Sequence, residues 1–207
     1  MKISYLIPPI ISLGFRKMIL LSRRSYSIGK YKIRVPKNFA LPDYQKKHRL
    51  YDRFLPFLAE QLNAEGLVID VGANVGDTTV ALLQKCENPF LCLEPSDLFF
   101  PILEANIKML DPEDRARVQL KKALVGSGSV SGELSHDSIG TATLKVSKNS
   151  PSSHLPLDEI VDDNSKVSLI KVDTDGFDYD VLSSAPNILE KSEPILFWEN
   201  VIQEEFQ

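Results

Sequence analysis

The feature that most constrains this chain is a short apolar run that ends in a glycine turn and opens directly into a helix. Residues 67–79 read LVIDVGANVGDTT. A glycine at position 72 lets the backbone turn sharply and come close to a ligand, and Asn74 tolerates the left-handed conformation. The helix predicted from Asp77 offers free N–H groups in its first turn, where Thr78 also lies. The motif predicts a ligand site at a strand–turn–helix junction.

The rest of the chain repeats this alternation of strand and helix. Further short apolar runs predict strands at 90–93, 118–120, 167–172 and 195–198. Helical spacing of apolar residues predicts helices over 51–62, 77–85, 98–110 and 179–189. Apolar strands separated by helices are typical of a parallel sheet that helices cover on both faces. We therefore predict an α/β fold with a doubly wound, Rossmann-like sheet.

The chain of 207 residues is long enough for one domain with a short appendage. We predict an extended lead-in over residues 1–50, with a short strand at 31–35, and a ligand-binding domain over residues 51–207. Residues 126–155 are rich in Gly, Ser and Thr, and polar and apolar residues alternate near 141–147. That stretch predicts a β-hairpin or flap inserted between the third and fourth parallel strands.

A second acidic residue helps to identify the ligand. Glu94 ends the second strand, where an acid accepts hydrogen bonds from ribose hydroxyls in Rossmann-like units; the alternative is a solvated loop acid. The dinucleotide fingerprint requires a third glycine where this chain has Asp77, and Asp70 would repel a pyrophosphate. The pattern favours an adenosyl amino acid, whose amino group Asp70 can meet. A nicotinamide-dependent oxidoreductase remains an alternative.

The sequence resembles the FkbM family of methyltransferases. The resemblance rests on VIDVGANVGDT at 68–78, LEPS at 93–96, LPLDEI at 155–160, LIKVDTDG at 169–176 and PILFWE at 194–199. It also includes Asn106, residues 123–124 and residues 181–182. The family usually has Glu at the positions of Asp175 and Asp178.

This resemblance implies S-adenosylmethionine as cofactor and O-methylation of a hydroxyl on a glycan or secondary metabolite. It implies cofactor contacts at the methionine end from a group of motif residues: Asp70, Gly72, Asn74 and Gly76. Glu94 would be the ribose ligand, and Ala123 would line the adenine by its backbone. Thr78 completes the predicted cofactor set.

The candidate catalytic residues follow the fourth and fifth strands. Lys171, Asp173 and Asp175 alternate at the end of a strand and so share one side, at the edge where open α/β sheets bind ligands. Asp173 is the predicted base or acceptor-orienting group, with a helix cap as the alternative, and Lys171 is expected to pair with the acids. Glu199 reaches the same rim. His136 in the flap is a further candidate, against the alternative of a solvated loop histidine.

The cysteines, the clustered acidic residues and the net charge also restrict which functions are expected. The two cysteines, Cys86 and Cys92, form no CxxC or Cys/His cluster, and reduced thiols fit a cytoplasmic protein. We predict no metal site, although Asp173, Asp175 and their neighbours could supply oxygen ligands to a divalent cation. A formal net charge of −4 argues against a nucleic-acid partner.

Both ends of the chain leave alternatives open. The apolar stretch 3–15 is interrupted by prolines and followed by basic residues. It is too short to span a bilayer. It predicts either contact with a membrane surface or partner, or else a helix packed on the domain or a frayed end. Methyltransferase sheets of this kind normally add two strands after the fifth, but this sequence ends at Gln207. The C-terminal edge strands are therefore expected to be missing or replaced, and a non-catalytic binding domain is the alternative.

Overall fold

The computed structural model describes residues 23–37, 39–47, 54–128, 132–136, 142–146 and 154–198. It opens with an antiparallel hairpin of β1 (Arg23–Ile28) and β2 (Tyr31–Pro36). The helices α1 (Leu41–Lys47) and α2 (Phe54–Ala59) follow. The hairpin contributes Tyr31, Ile33 and Val35 to the hydrophobic core, because alternate residues of β2 face inward.

The remaining elements alternate as predicted. In chain order they are β3 (Leu67–Val71), α3 (Asp77–Leu83), β4 (Phe90–Leu93), α4 (Phe100–Ile107), α5 (Pro112–Ala116), β5 (Val118–Lys121), β6 (Gly132–His136), β7 (Ala142–Val146), α6 (Leu157–Ile160), β8 (Val167–Val172), α7 (Asp178–Ser183), α8 (Pro186–Ser192) and β9 (Ile195–Trp198). The antiparallel pair β6–β7 lies within the stretch predicted as an insertion.

Five strands form one parallel sheet in the order β5-β4-β3-β8-β9. The chain moves outward from β3 to β5 on one side, then crosses to β8 and β9 on the other. The order therefore reverses between β3 and β8, which is where open α/β sheets form their ligand crevice.

Both faces of this sheet are covered. Alternate residues of the central strands divide between two hydrophobic clusters: Val68 and Phe90 belong to one with α3, α4 and the hairpin, while Ile69 and Leu91 belong to the other with α6, α7 and α8. This arrangement confirms the predicted doubly wound, Rossmann-like fold.

One predicted helix is two. The sequence predicts a single helix over 179–189, but α7 ends at Ser183 and α8 begins at Pro186. A proline has no N–H group to continue a helix and favours its first turn, so the chain breaks there. Among the described residues, no helix is long and apolar enough to cross a membrane.

Candidate functional site

The glycine turn after β3 adopts the predicted backbone. Gly72, Asn74 and Gly76 have φ of 77°, 49° and 86°, so asparagine does occupy the left-handed region as expected. A Cβ at Gly72 would lie 2.0 Å from the carbonyl oxygen of Asp173. The glycine is therefore required by the close approach of the chain that follows β8, and not by a ligand alone. A Cβ at Gly76 would lie 2.7 Å from Leu103 of α4.

A buried ion pair joins the two central strands beneath this turn. Asp70 of β3 is opposite Lys171 of β8 in the register, and Lys171 Nζ lies 3.0 Å from Asp70 Oδ1. Asp70 Oδ2 accepts a hydrogen bond from the Thr79 hydroxyl at 2.6 Å. Burial alone would lower the pKa of Lys171, but Asp70 and Asp173 hold it above its ordinary value. Lys171 is therefore a cation, paired with the acids as expected.

The same lysine also supports the turn and the chain after β8. Its ammonium donates a hydrogen bond to the carbonyl of Gly72 at 3.2 Å. It lies 3.6 Å from Asp173 Oδ2. Thus one buried cation fixes the ends of both strands where the order of the sheet reverses.

Glu94 follows β4 and is 4% exposed. Its Oε2 accepts a hydrogen bond from the Asn74 N–H, and its Oε1 accepts one from the Ser96 N–H, both at 2.8 Å. Burial raises the pKa of Glu94 to about 7, although these two N–H donors oppose the shift. Each carboxylate oxygen can accept a second hydrogen bond, so Glu94 can hold the turn and a ligand hydroxyl together.

An open cleft of about 600 Å³ lies at the carboxyl ends of the strands. On one side it is lined by Gly72, Asn74 and Glu94, with Ala123 and Leu124 after β5. On the other it is lined by Asp173, Thr174, Asp175 and Phe177 after β8. Because the sequence predicts cofactor contacts on the first side and the catalytic group on the second, we call them the cofactor side and the acceptor side.

The acceptor side is a tight turn between β8 and α7. Asp175 and Gly176 both have positive φ, 53° and 102°. The Asp178 carboxylate accepts hydrogen bonds from the Thr174 N–H, at 2.8 Å, and from the Thr174 hydroxyl. Asp178 therefore stabilises the turn, while the side chain of Asp173 stays 48% exposed.

The structure separates some predicted site residues from the cleft. Asp70 and Lys171 lie beneath it and do not line it, because both side chains are buried in their ion pair. Gly76 packs on α4. Thr78 lines a different groove, between β1, α2 and α3, because the first turn of α3 directs its side chain toward the hairpin.

Two other candidates, Glu199 and His136, are not located relative to the cleft. Glu199 lies outside the described residues. His136 ends β6 opposite Ala142 of β7. Within the described ranges, no group of three or more His, Cys, Asp or Glu side chains could hold a metal ion.

His154 lines the cleft, and sequence reasoning assigned it no role. A short parallel bridge holds this segment at the cleft: the Leu155 N–H donates a hydrogen bond to the Leu124 carbonyl at 2.9 Å. The Gly126 N–H donates to the Leu155 carbonyl at 3.2 Å. This pairing joins residues about thirty positions apart, and periodicity within either segment does not reveal it. The sequence signal that could have drawn attention to His154 is the LPLDEI segment, which begins at the next residue.

The comparisons with known proteins bear on this geometry. A family model for the methyltransferase FkbM domain matches residues 70–207, which is more than half of the chain. The chain belongs to the FkbM methyltransferase family. This family uses S-adenosylmethionine, so the predicted cofactor is confirmed at the level of the family.

Solved structures of methyltransferases also match, all at low identity. A precorrin-6y C5,15-methyltransferase from Geobacter metallireducens is 13% identical with a TM-score of 0.44, over 74% of this chain and 62% of that one. The glycopeptide N-methyltransferase MtfA, in complex with S-adenosylmethionine, is 15% identical with a TM-score of 0.42, over 72% and 53%.

An S-adenosylmethionine-dependent methyltransferase from Thiobacillus denitrificans, in complex with S-adenosylhomocysteine, is 14% identical with a TM-score of 0.43, over 79% of this chain and 55% of that one. This chain therefore spans about half to three fifths of the length of these three proteins. No curated protein sequence matches it.

The residues of the cleft fit this cofactor. Three acidic residues, Glu94, Asp173 and Asp175, line it. Such a cleft attracts a sulfonium and an ammonium group and repels a pyrophosphate. The charge of the cleft therefore favours an adenosyl amino acid over a dinucleotide, in agreement with the missing third glycine.

Proposed function

We propose that this protein is an O-methyltransferase that transfers a methyl group from S-adenosylmethionine to a hydroxyl of a glycan or secondary-metabolite acceptor. The observation that carries the proposal is the placement of Glu94 and Asp173 on opposite sides of one acidic cleft. One carboxylate is buried and held by backbone N–H groups, and the other is half exposed. The buried carboxylate suits cofactor binding, and the half-exposed one suits contact with the acceptor.

On the cofactor side, Glu94 would accept hydrogen bonds from the ribose hydroxyls. The turn at Gly72 and Asn74 would contact the methionine end, and Ala123 the adenine. Asp70 acts indirectly in this proposal, because it holds Lys171 and so the Gly72 carbonyl. The cofactor supplies a methyl group bound to a positively charged sulfur.

On the acceptor side, Asp173 would orient the acceptor hydroxyl and take its proton as the oxygen is methylated. A base in this position contributes roughly 10²–10⁴-fold to the rate. Lys171 Nζ, at 3.6 Å, fixes the Asp173 carboxylate. Asp175 adds negative charge at the same mouth, which favours the cationic cofactor. Positioning of the acceptor oxygen in line with the leaving sulfur provides the rest.

Methyl transfer from labelled S-adenosylmethionine to a panel of hydroxyl acceptors tests this function. The panel should contain monosaccharides, oligosaccharides and polyketide alcohols, each beside its matched amine. We expect a methyl ether and S-adenosylhomocysteine as products, with the label transferred only to hydroxyl acceptors. Methylation of the amines alone would contradict the proposal, and cofactor binding without transfer to any acceptor would favour a non-catalytic binding domain.

A further inference from the structure

Charge is distributed unevenly along the chain. Residues 1–53 contain 13 of the 24 Lys and Arg residues but only 2 of the 28 Asp and Glu residues. Residues 54–207 hold the other 11 basic and 26 acidic residues, so the formal net charge of −4 hides a strongly basic N-terminal part. Asymmetry of this size is typical of chains that contact an anionic surface.

The structure leaves four of these basic side chains exposed on the hairpin and on α1. In β2, burial alternates, and Lys32 and Arg34 lie on the outward face. Lys46 and Lys47 are exposed in the last turn of α1. Among the described residues, none of these four forms an ion pair, whereas Lys30 in the hairpin turn is paired with acids after α4.

Exposed aromatic side chains adjoin these cations. Tyr44 of α1 is 51% exposed, and Phe54 and Phe57 of α2 are 62% and 63% exposed. Contiguous exposed apolar side chains mark sites of contact with proteins or membranes. Three of them on two consecutive helices make this an amphipathic surface.

The two helices and the hairpin enclose one open groove of about 930 Å³. Phe57 lines it together with Ser27 of β1, Gln45 of α1 and Asp77 of α3. Ser27 is the direct partner of Lys32 in the hairpin register. The Tyr26 hydroxyl also donates a hydrogen bond to Gln45 Oε1. The groove therefore joins α1 and α2 to strand β1, which pairs with the strand that carries Lys32 and Arg34.

We propose that this surface is a docking face for an anionic lipid membrane. The docking face consists of the exposed basic and aromatic side chains of the hairpin, α1 and α2: Lys32, Arg34, Tyr44, Lys46, Lys47, Phe54 and Phe57. Lysine and arginine are attracted to anionic headgroups, and phenylalanine and tyrosine enter the boundary between headgroups and acyl chains. The apolar sequence 3–15, which precedes the hairpin, has the same combination of apolar and basic character.

A lipid surface fits the docking face better than a nucleic acid does. Phenylalanine has no hydrogen-bonding group, and the 62% and 63% exposure of Phe54 and Phe57 gives the face an apolar part on α2. Nucleic-acid interfaces are more polar and are dominated by contacts to phosphate. The acidic remainder of the chain would oppose binding along an extended polyanion, whereas a flat membrane needs one face.

The docking face is joined to the glycine turn through one side chain. The Arg34 N–H donates to Asn106 Oδ1, and Asn106 Nδ2 donates to the Val75 carbonyl, both at 2.8 Å. Docking would thus hold the turn of the cofactor side close to the membrane. The proposal does not depend on the methyl-transfer reaction, because it rests on residues outside the cleft.

Flotation of the full chain with lipid vesicles tests the docking face. We expect binding to phosphatidylcholine vesicles that contain phosphatidylserine, weak binding to phosphatidylcholine alone, and loss of binding as salt increases. The double variant Lys46→Glu with Lys47→Glu should lower the partition coefficient at least about tenfold. Phe54→Ser with Phe57→Ser should lower it on vesicles of either composition.

The matched control reverses two exposed lysines elsewhere, Lys121→Glu with Lys166→Glu, and should bind as the parent does. Equal loss in this control would contradict a local face, because net charge alone would then explain binding. Unchanged binding in both docking-face variants would also overturn the proposal, as would preference for a single-stranded RNA oligonucleotide over the vesicles. Thermal unfolding and S-adenosylhomocysteine titration of the same variants separate loss of docking from loss of fold or cofactor binding.

Discussion

The two sides of the cleft hold their carboxylates in opposite ways. On the cofactor side, Glu94 is 4% exposed and both of its oxygens accept backbone N–H groups. On the acceptor side, the Asp173 side chain is 48% exposed, and its carboxylate lies 3.6 Å from the Lys171 ammonium. In the proposed function, the rigid, buried Glu94 binds the cofactor and the accessible Asp173 contacts the acceptor.

The largest effect should follow from a change on the acceptor side. Asp173→Asn should lower turnover by about 10²–10⁴-fold, the usual contribution of a positioned base, and leave S-adenosylhomocysteine affinity within about twofold of the parent. Labelled methyl transfer and calorimetry measure the two quantities separately. Glu190→Gln, an exposed change on α8, is the control. Equal loss of affinity and turnover would mean that Asp173 is structural.

A change beneath both sides should affect stability most. Lys171→Met leaves the Asp70 carboxylate buried without its cation, which should lower the free energy of unfolding by about 3–5 kcal/mol. Urea denaturation followed by circular dichroism measures it, with exposed Lys166→Met as a control within about 0.5 kcal/mol of the parent. Adding Asp70→Asn to Lys171→Met should recover part of the loss; no recovery would argue against the ion pair.

On the cofactor side, Glu94→Ala should weaken cofactor binding by about 1–3 kcal/mol, because a charge-assisted hydrogen-bond site is lost. Titration with S-adenosylhomocysteine measures the change, and exposed Glu87→Ala is the control. Unchanged affinity in Glu94→Ala would remove Glu94 from the cofactor side.

The pH dependence of cofactor affinity and of stability should also distinguish the two sides. Burial raises the pKa of Glu94 from 4.5 to about 7, so cofactor affinity should rise with pH and level off above about 7, by at most about tenfold per pH unit. The folded protein binds this proton more tightly than the unfolded chain does, so Glu94 lowers stability as the pH rises from 4.5 to about 7. Glu94→Gln should flatten both profiles, and an unchanged profile in that variant would assign the titration to another group.

The smallest effect should come from Thr78. Its side chain lines the groove beside the hairpin and not the cleft, so Thr78→Ala should change cofactor affinity by less than about twofold. Calorimetric titration beside Glu94→Ala checks this. A loss as large as that of Glu94→Ala would restore Thr78 to the cofactor side.

The same contrast explains what the sequence could predict. The strands 67–71, 90–93 and 167–172 match their largely apolar runs, because most side chains of a strand buried on both faces are apolar. The run 195–198 also matches its strand, although that strand lies at the edge of the sheet and is partly exposed. Strand β1, with the sequence RRSYSI, carries no such run, since its partner is a hairpin strand and not the central sheet. The backbone of the glycine turn was likewise predictable, because few residues adopt positive φ.

The site was predictable in part for similar reasons. Residues that end neighbouring parallel strands must meet at one edge, which places Glu94, Asp173 and Asp175 together. Whether a carboxylate faces the cleft or lies beneath it depends on tertiary pairing. Asp70 and Lys171 are opposite each other in register, and sequence spacing does not show that pairing. His154 reaches the cleft only through its bridge to the segment after β5.

The central claim is that the acidic cleft binds an adenosyl amino acid, and calorimetric titration tests it most directly. S-adenosylhomocysteine and NADH should be titrated in parallel into the purified chain. We predict micromolar affinity for S-adenosylhomocysteine and no measurable binding of NADH. Binding of NADH alone would contradict this account in favour of a nicotinamide-dependent enzyme, and binding of neither would contradict the assignment of a cofactor side.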